Sequence, residues 1–297
     1  MGLAVVNHQD YFAKIGDDHK FPINKFSELA KYLKEKKIVK QFIKPSPCSI
    51  ETLSKAHSLD YIKDIKNKTL SKEGIKKIGF PLVDSVVKRS FIATGGTVLA
   101  AKLAIKSGIS CNTAGGSHHA NFNGGAGYCV FNDVAVAAKY LIERGLANKI
   151  LIVDLDVHQG NGNADIFKDD KHVFTFSMHS KTNYPAKKSL SNYDVELEDN
   201  TEDRIYLEKL KQCLHELNQN FFDFVFYIAG VDIHYNDRLG KLKISDEGVR
   251  IRDQIVIENF FSQRIPLCGV LGGGYNKNFE KLVELHSYLH ETCSKYI

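Results

Sequence analysis

Apolar positions along the chain follow two different spacings, and these predict alternating helices and strands. Where apolar residues recur about every three to four positions, as in 84–107, an amphipathic helix is expected. Where apolar residues run together between turn residues, a buried strand is expected. The predicted helices cover 26–40, a short stretch within 50–66, 84–107, 130–144, 203–219, 246–263 and a stretch from about 277. The predicted strands cover 149–155, 172–178, 222–229 and 265–271.

The composition of the predicted strands indicates how the sheet is covered. The strand at 222–229 is apolar at almost every position, which is typical of a parallel strand buried under helices on both sides. Strands that alternate with helices along a chain favour the same arrangement. We therefore expect an α/β fold with a mostly parallel central sheet and helices on both faces. No linker-like or repeated segment divides residues 1–297, so we expect a single domain.

Composition and charge narrow the function classes without choosing one. The chain has 297 residues, 43% of them hydrophobic and 25% charged, which is typical of a globular protein. Its net charge of +5 is a mild excess and gives no reason to expect a direct nucleic-acid partner. No apolar run approaches the length of about 18 residues that a membrane span needs, so none is predicted. The six cysteines form no CxxC pair, which favours reduced thiols and a cytoplasmic location, or a nuclear one in a eukaryote.

The most informative segment runs from Asp154 to His158 and directly follows the apolar run 149–153. Side chains alternate between the two faces of a strand, so Asp154, Asp156 and His158 would share one face if the strand continued. Carboxylates and an imidazole at a strand end suit a divalent metal ion. The same residues also fit a solvated transition from strand to loop, and this segment alone leaves both interpretations open.

Three further segments place unusual polar groups where elements end: Gly115 to His119, Ala229 to Asp232, and Leu271 to Asn276. Each of them alone fits an ordinary turn, because aspartate and runs of glycine are common there. Ligands of open α/β sheets bind outside the carboxyl ends of the strands. Together with the segment that begins at Asp154, these segments predict one catalytic site at that edge of the sheet.

These segments resemble the motifs of the zinc-dependent histone deacetylase superfamily and occur in the same order. The matching segments are GGSHHA at 115–120, GAGYCVFND at 125–133, DLDVHQGNG at 154–162, SMH at 177–179, AGVDIH at 229–234 and LGGGYN at 271–276. The resemblance implies the arginase/deacetylase-like fold over essentially the whole chain. HQGNG at 158–162, where class I enzymes have HHGDG, and DRLG at 237–240 are most similar to the class IV branch.

The resemblance implies one catalytic zinc ion and a structural potassium ion. Asp156, His158 and Asp232 would hold Zn²⁺, and three protein ligands leave a position open for water and substrate. The same donors also suit Fe²⁺ or Co²⁺, so the sequence leaves the native metal open. A hard cation such as K⁺ prefers oxygen ligands. The residues implied for the potassium site are Asp154, Asp156, His158, Ser177 and Met178.

The resemblance also implies which groups carry the chemistry. His119 would act as general base and proton donor, with Asn161 as its orienting partner. His118, held by Asp154, would stay charged and act electrostatically. Tyr275 would donate its hydroxyl to the oxyanion that develops on the substrate. Because Asn161 is neutral where class I enzymes have an aspartate, we expect His119 to be less basic than its counterpart there.

A narrow channel for an acylated lysine side chain is implied by Gly127 and Tyr128, with Tyr184 as the opposite wall. The expected function is a metal-dependent hydrolase of linear amides that removes acetyl or long-chain fatty acyl groups from the lysine Nε of proteins. From the class IV similarity we expect long acyl groups to be removed at least as efficiently as acetyl. Deacetylation of polyamines or other small acylated amines is the alternative, and a non-catalytic scaffold is a further one.

Overall fold

The computed structural model describes residues 2–297, and the strands of these residues form one parallel sheet. The strands are β1 (Ala4–Val6), β2 (Ile109–Asn112), β3 (Ile150–Asp154), β4 (Val173–Ser180), β5 (Tyr193–Leu197), β6 (Phe224–Ile228) and β7 (Leu267–Val270). Their order across the sheet is β1-β2-β7-β6-β3-β4-β5, and every neighbouring pair runs parallel. The predicted α/β fold is confirmed, and this 7-stranded sheet is wholly rather than mostly parallel.

Helices cover the sheet in two groups. The helices are α1 (Lys25–Glu35), α2 (Ile50–Leu53), α3 (Leu59–Asn67), α4 (Lys72–Ile78), α5 (Asp84–Ser107), α6 (Asp133–Glu143), α7 (Asn161–Phe167), α8 (Asp203–Leu217), α9 (Asp246–Ser262) and α10 (Phe279–Ser294). Helices α5 and α6 pack against each other, and α5 also contacts β1, β2 and β7. Helix α10 packs between α1 and α9, and α9 also packs against α8. Helix α9 contacts β7, and α10 contacts β2. The central strands therefore carry helices on both faces, as expected.

The middle strands β3 and β6 form the core of the sheet. Every residue of both strands is buried, and their mainly aliphatic and aromatic side chains leave neither face polar. This explains why an unbroken apolar run, rather than an alternating one, marks them in the sequence. Asp154, the last residue of β3, lies opposite Ser177 on β4 and Ile228 on β6. Polar residues therefore begin where these strands end.

Several short elements lie outside what the sequence pattern predicts. Strands β1 and β2 have 3 and 4 residues, which is too short to show a periodicity. The edge strand β5, most of whose residues are not fully buried, is also absent from the predicted strands. The stretch 50–66 divides into α2 and α3 because the Ser58 side chain accepts a hydrogen bond from the Tyr61 N–H and caps a new helix. Helices α4 and α7 are also additional to the prediction.

Two further observations concern the cysteines and the helices. The six cysteines are free and buried, in agreement with the reduced thiols expected from the sequence. No helix of residues 2–297 combines the length and apolar character that crossing a bilayer requires. The cytoplasmic location expected from the cysteines stays a prediction.

Candidate active site

The carboxyl ends of neighbouring strands bring the expected metal ligands together. Asp156 and His158 follow β3, and Asp232 follows β6, which pairs with β3 in the sheet. The potential ligand atoms of these side chains lie within 4.8 Å of one another, and all three residues are buried. His158 Nδ1 lies 3.0 Å from Asp156 Oδ1 and 3.1 Å from Asp232 Oδ2. Two carboxylate oxygens and one imidazole nitrogen therefore face a common point.

The charges of this group fit a divalent cation. Within residues 2–297, no lysine or arginine forms an ion pair with Asp156 or Asp232, whose only charged partners are histidines. Burial and the charge of Asp156 raise the pKa of Asp232 to about 7. A dication bound between the carboxylates would remove this repulsion, and oxygen and imidazole nitrogen donors are ligands that Zn²⁺ accepts. The residues present therefore fit a zinc ion.

Backbone amides of neighbouring loops orient the two carboxylates. The Val157 N–H donates to Asp232 Oδ1 at 2.9 Å, and the Gly273 N–H donates to Asp156 Oδ2 at 2.5 Å. A Cβ at position 273 would lie 2.0 Å from Asp232 Oδ2, so only glycine lets this loop approach so closely. The other oxygen of each carboxylate lies near His158, and the one on Asp156 also accepts the His158 N–H at 2.9 Å.

A buried arginine on α9 links the two loops that carry the metal ligands. Arg252 is fully buried, and one of its terminal nitrogens donates to the carbonyl oxygens of Gly230 and Leu155. Gly230 lies two residues before Asp232, and Leu155 lies directly before Asp156. Sequence reasoning missed Arg252, because a single arginine on a helix is ordinarily expected at the surface.

The two histidines of the tandem pair are held in opposite charge states. His118 Nδ1 lies 2.7 Å from Asp154 Oδ2, and His119 Nδ1 lies 2.7 Å from Asn161 Oδ1. Burial alone would lower the pKa of His118, but the charge of Asp154 raises it to about 9. Burial and the charge of His118 lower the pKa of His119 well below its usual range. At neutral pH, His118 is therefore charged and His119 is neutral.

The backbone of Tyr275 is held on both sides by two consecutive residues of another loop. Its N–H donates to Asp237 Oδ2 at 2.6 Å, and its carbonyl oxygen accepts from Arg238 Nε at 3.0 Å. The Asp237 carboxylate also accepts the N–H groups of Leu239 and Gly240, at 2.8 and 3.0 Å. In the sequence these residues only marked similarity to the class IV branch. An aspartate that caps its own turn gives no sign that the turn also holds Tyr275.

Gly127, Tyr128 and Tyr184 surround the approach to the histidine pair. The Tyr184 ring packs edge-on against the His119 ring, with 4.8 Å between centroids and 90° between planes. A Cβ at position 127 would lie 2.6 Å from His119 Cδ2, and Gly127 has φ of +53°, so glycine is needed there. The Tyr128 ring lies 6.1 Å from the Tyr275 ring. Tyr184 is 45% exposed and Tyr275 is buried, so the approach leads from the surface inward.

A small cavity of about 40 Å³ joins these groups to the interior of the protein. Residues on its wall include Asp156, His158, Tyr275, Phe21, Phe26 and Arg89. Phe21 lies in the segment before α1, Phe26 lies on α1 and Arg89 lies on α5. The sequence analysis placed none of these three in the site. Phe21 and Phe26 resemble ordinary core residues in the sequence, and Arg89 resembles a surface residue of a helix. Their place on the cavity wall is decided by packing alone.

Two of the residues predicted for a potassium site are neighbours in the sheet. Asp154 and Ser177 are register partners on β3 and β4. The Ser177 hydroxyl lies 2.9 Å from His179 Nδ1, and the Asp154 carboxylate accepts from the Asp156 N–H at 3.2 Å. These contacts leave the potassium ion a prediction that rests on the family resemblance.

Comparisons with known proteins agree with this geometry. Residues 19–289 match the family described as the histone deacetylase domain. An uncharacterized protein of Picosynechococcus sp. is 44% identical over 296 residues, which is 99% of each chain. Histone deacetylase 2 of Arabidopsis thaliana is 33% identical over 277 residues, which cover 89% of this chain and 72% of that protein.

Two further matches are more distant in sequence. The acetoin utilization protein AcuC of Staphylococcus aureus is 28% identical over 262 residues, covering 80% of this chain and 67% of that protein. The crystal structure of the HDA15 HD domain superposes with a TM-score of 0.84 at 20% identity, covering 99% of this chain and 88% of that one. Members of the matched family are zinc-dependent hydrolases that act on amides. The match over most of its length and the identity with the plant enzyme show that this chain belongs to the histone deacetylase family.

Proposed function

We propose that this protein is a zinc-dependent amidohydrolase that removes short acyl groups from the Nε atom of lysine residues in peptides or proteins. The observation that carries the proposal is the convergence of a metal-ligand group, the two tandem histidines and Tyr275 around one cavity. Amide hydrolysis at neutral pH needs a polarised carbonyl, a deprotonated water and a stabilised oxyanion. The metal ion would polarise the carbonyl, the histidines would deprotonate the water, and Tyr275 would stabilise the oxyanion.

Asp156, His158 and Asp232 would hold the metal ion. When bound, zinc polarises the amide carbonyl and makes a water molecule more acidic. Fe²⁺ and Co²⁺ accept the same donors, so metal analysis belongs to the test. A structural potassium ion near Asp154 and Ser177 is part of the proposal on the strength of the family resemblance.

The remaining polar groups handle the proton and the oxyanion. Nδ1 of His119 faces the Asn161 side-chain oxygen, which can only accept a hydrogen bond, so Nδ1 carries the ring proton. Nε2 is then free to accept a proton from the attacking water. The charged His118, held by Asp154, adds positive charge beside it. Burial, followed by the nearby acids, raises the pKa of Tyr275 well above its usual range, so its hydroxyl stays protonated and can donate to the oxyanion.

The cavity volume supports a short acyl chain. A volume of about 40 Å³ holds roughly three water molecules, since each needs about 10–15 Å³. An acetyl group fits within this volume, whereas a long fatty chain would have to displace Phe21 and Phe26 from the wall of the cavity. Removal of long acyl groups, which the class IV similarity suggests, stays a prediction for the same assay.

The channel supports an acylated lysine as the substrate class. The aromatic rings of Tyr128 and Tyr184 can pack along the aliphatic stem of a lysine side chain. Membership of the class IV branch is part of the proposal and is supported by HQGNG at 158–162 and by the turn that holds Tyr275. A cytoplasmic location is supported by the buried, free cysteines.

The test is hydrolysis of one lysine peptide that carries acetyl, octanoyl or myristoyl, with and without a zinc chelator. We expect chelator-sensitive release of acetyl and a reduction of about 100-fold in kcat for Tyr275→Phe, the usual effect of removing an oxyanion donor. Tyr235→Phe is the matched control, because Tyr235 is 60% exposed. Release from an acetylated polyamine but from no peptide would replace the substrate class, and release from neither would contradict the proposal.

A further inference from the structure

Two buried cations lie beside the cavity, and the proposed chemistry uses neither. Arg89, on α5, lines the same cavity as the metal ligands and is 8% exposed. Lys25, the first residue of α1, is 1% exposed. Both cations lie beside the rings of Phe21 and Phe26. Arg89 Cζ is 4.6 Å from the centre of the Phe26 ring. Lys25 Nζ is 5.5 Å from the centre of the Phe26 ring and 5.3 Å from the centre of the Phe21 ring.

Neither cation has a carboxylate partner among the described residues. Arg89 makes one hydrogen bond there, from Nε to the Tyr11 carbonyl oxygen at 2.9 Å, and its two terminal nitrogens make none. Lys25 makes one, from Nζ to the Gly272 carbonyl oxygen at 3.3 Å. Burial lowers the pKa of Arg89 to about 10 and that of Lys25 to about 8, which leaves the arginine charged at neutral pH.

The nearby acids are engaged elsewhere. Asp133 accepts hydrogen bonds from the Thr97 hydroxyl at 2.6 Å and from the N–H groups of Gly116 and Ser117 at 3.2 and 2.8 Å. The acids of the metal-ligand group would be balanced by the dication that they hold. A buried charge without a counter-ion is costly. This wall of the cavity therefore favours an anion.

We propose that Arg89, supported by Lys25, binds the terminal carboxylate of an acyl group such as malonyl or succinyl on lysine. The inference rests on the proposed amidohydrolase function and adds the chemical class of the acyl group. A guanidinium offers paired donors that match a carboxylate, and the terminal nitrogens of Arg89 are free to provide them. Arg89, Asp156 and His158 line one small cavity, so the proposal places the acyl chain in that cavity with its carbonyl at the metal ligands and its carboxylate at Arg89.

The reaction remains a simple hydrolysis. The amide C–N bond breaks, the oxygen of one water molecule bonds to the acyl carbon, and a proton of that water goes to the leaving lysine nitrogen. The products are free lysine and a dicarboxylate, and no reactant besides water is consumed.

The test compares acyl-lysine peptides that differ in charge but not in outline. Malonyl is paired with isovaleryl and succinyl with isocaproyl, because an isopropyl group has the branched shape of a carboxylate. With the zinc-loaded protein, kcat/KM for each carboxyacyl peptide should exceed that of its neutral partner by roughly 10- to 100-fold, the range expected for hydrogen bonds to a charged group.

Variants assign the preference to one side chain. Arg89→Met should lower the ratio of carboxyacyl to neutral kcat/KM by at least about tenfold. Lys88→Met is the matched control: it removes the neighbouring cation, whose side chain is 61% exposed, and should leave the ratio unchanged. Arg89→Lys keeps the charge but loses the paired donors, so part of the ratio should remain.

The outcomes separate this inference from the proposed function. Chelator-sensitive cleavage of acetyl-lysine together with an isovaleryl rate equal to or above the malonyl rate would overturn the carboxylate site and leave the amidohydrolase proposal standing. An unchanged ratio in Arg89→Met would also overturn the site. The wild-type ratio stands as a test even if that variant does not fold. No cleavage of any peptide would refute both.

Discussion

Replacement of Asp237 by asparagine tests how Tyr275, the proposed hydroxyl donor, is held in place. The Asp237 carboxylate accepts the N–H of Tyr275 at 2.6 Å and those of Leu239 and Gly240 at 2.8 and 3.0 Å. Asparagine has the same shape but only one acceptor oxygen and no charge. At least one of these N–H groups then faces an amide nitrogen, and we expect the backbone at Tyr275 to shift.

The size of the effect follows from these contacts. A hydrogen bond to a charged group contributes about 1.5–3 kcal/mol, so the loss of one of them costs on the order of 2 kcal/mol. Displacement of a catalytic group by about 1 Å reduces turnover by about 100-fold. We expect kcat of Asp237→Asn to fall by about 30- to 100-fold and KM to change less than about threefold. The melting temperature should fall by roughly 3 °C, because the entropy of unfolding is about 2.1 cal/mol/K per residue and the chain has 297 residues.

A double-mutant cycle on acetyl-lysine hydrolysis separates positioning from general damage. If Asp237 acts through the Tyr275 hydroxyl, Asp237→Asn should reduce kcat by less than about threefold in a Tyr275→Phe background. Asp203→Asn is the control, because Asp203 also accepts a backbone hydrogen bond, from Ser245 at 2.8 Å, but lies at the start of α8. An equal loss of kcat in both backgrounds would refute the positioning argument.

Three other changes probe the base, the channel and the metal loops. Burial holds the pKa of His119 low, and Asn161→Asp should raise it by adding a negative charge beside the ring. The acidic limb of the kcat/KM profile should then move to higher pH. An acidic limb that does not move would argue against His119 as the base. Gly127→Ala places a Cβ 2.6 Å from His119 Cδ2 and should lower kcat/KM at least about tenfold, whereas Gly124→Ala, with its nearest atom at 4.0 Å, should not. Arg252→Met should weaken zinc binding by about tenfold in competition with a chromophoric chelator, and equal affinities would show that the loops hold without it.

The long core elements were predictable because their apolar spacing has one interpretation. The helix predicted at 84–107 has those bounds in the structure, and the strand predicted at 149–155 contains β3. Short strands carry too few positions for a period to emerge. The buried strand β2, with the sequence Ile-Ser-Cys-Asn, is half polar, and it is recognisable only once its neighbours in the sheet are known.

The residues of the candidate site also divide into those that the sequence predicts and those that it does not. Asp156, His158 and Asp232 were predicted as one group because they follow strands and match motifs, and parallel neighbours bring strand ends together. The roles proposed for Asp237 and Arg89 depend instead on which backbone group or cavity each side chain faces. That depends on the packing of segments distant in sequence, which leaves no local pattern in the chain.

The central claim is that Asp156, His158 and Asp232 bind one catalytic zinc ion. The most direct measurement adds zinc in steps to metal-free protein and follows bound metal and acetyl-lysine hydrolysis in the same samples. We predict that activity rises in proportion to bound zinc up to a single ion per chain, and that Asp232→Asn loses both binding and activity. Full activity of the metal-free protein, or of Asp232→Asn, would contradict the claim.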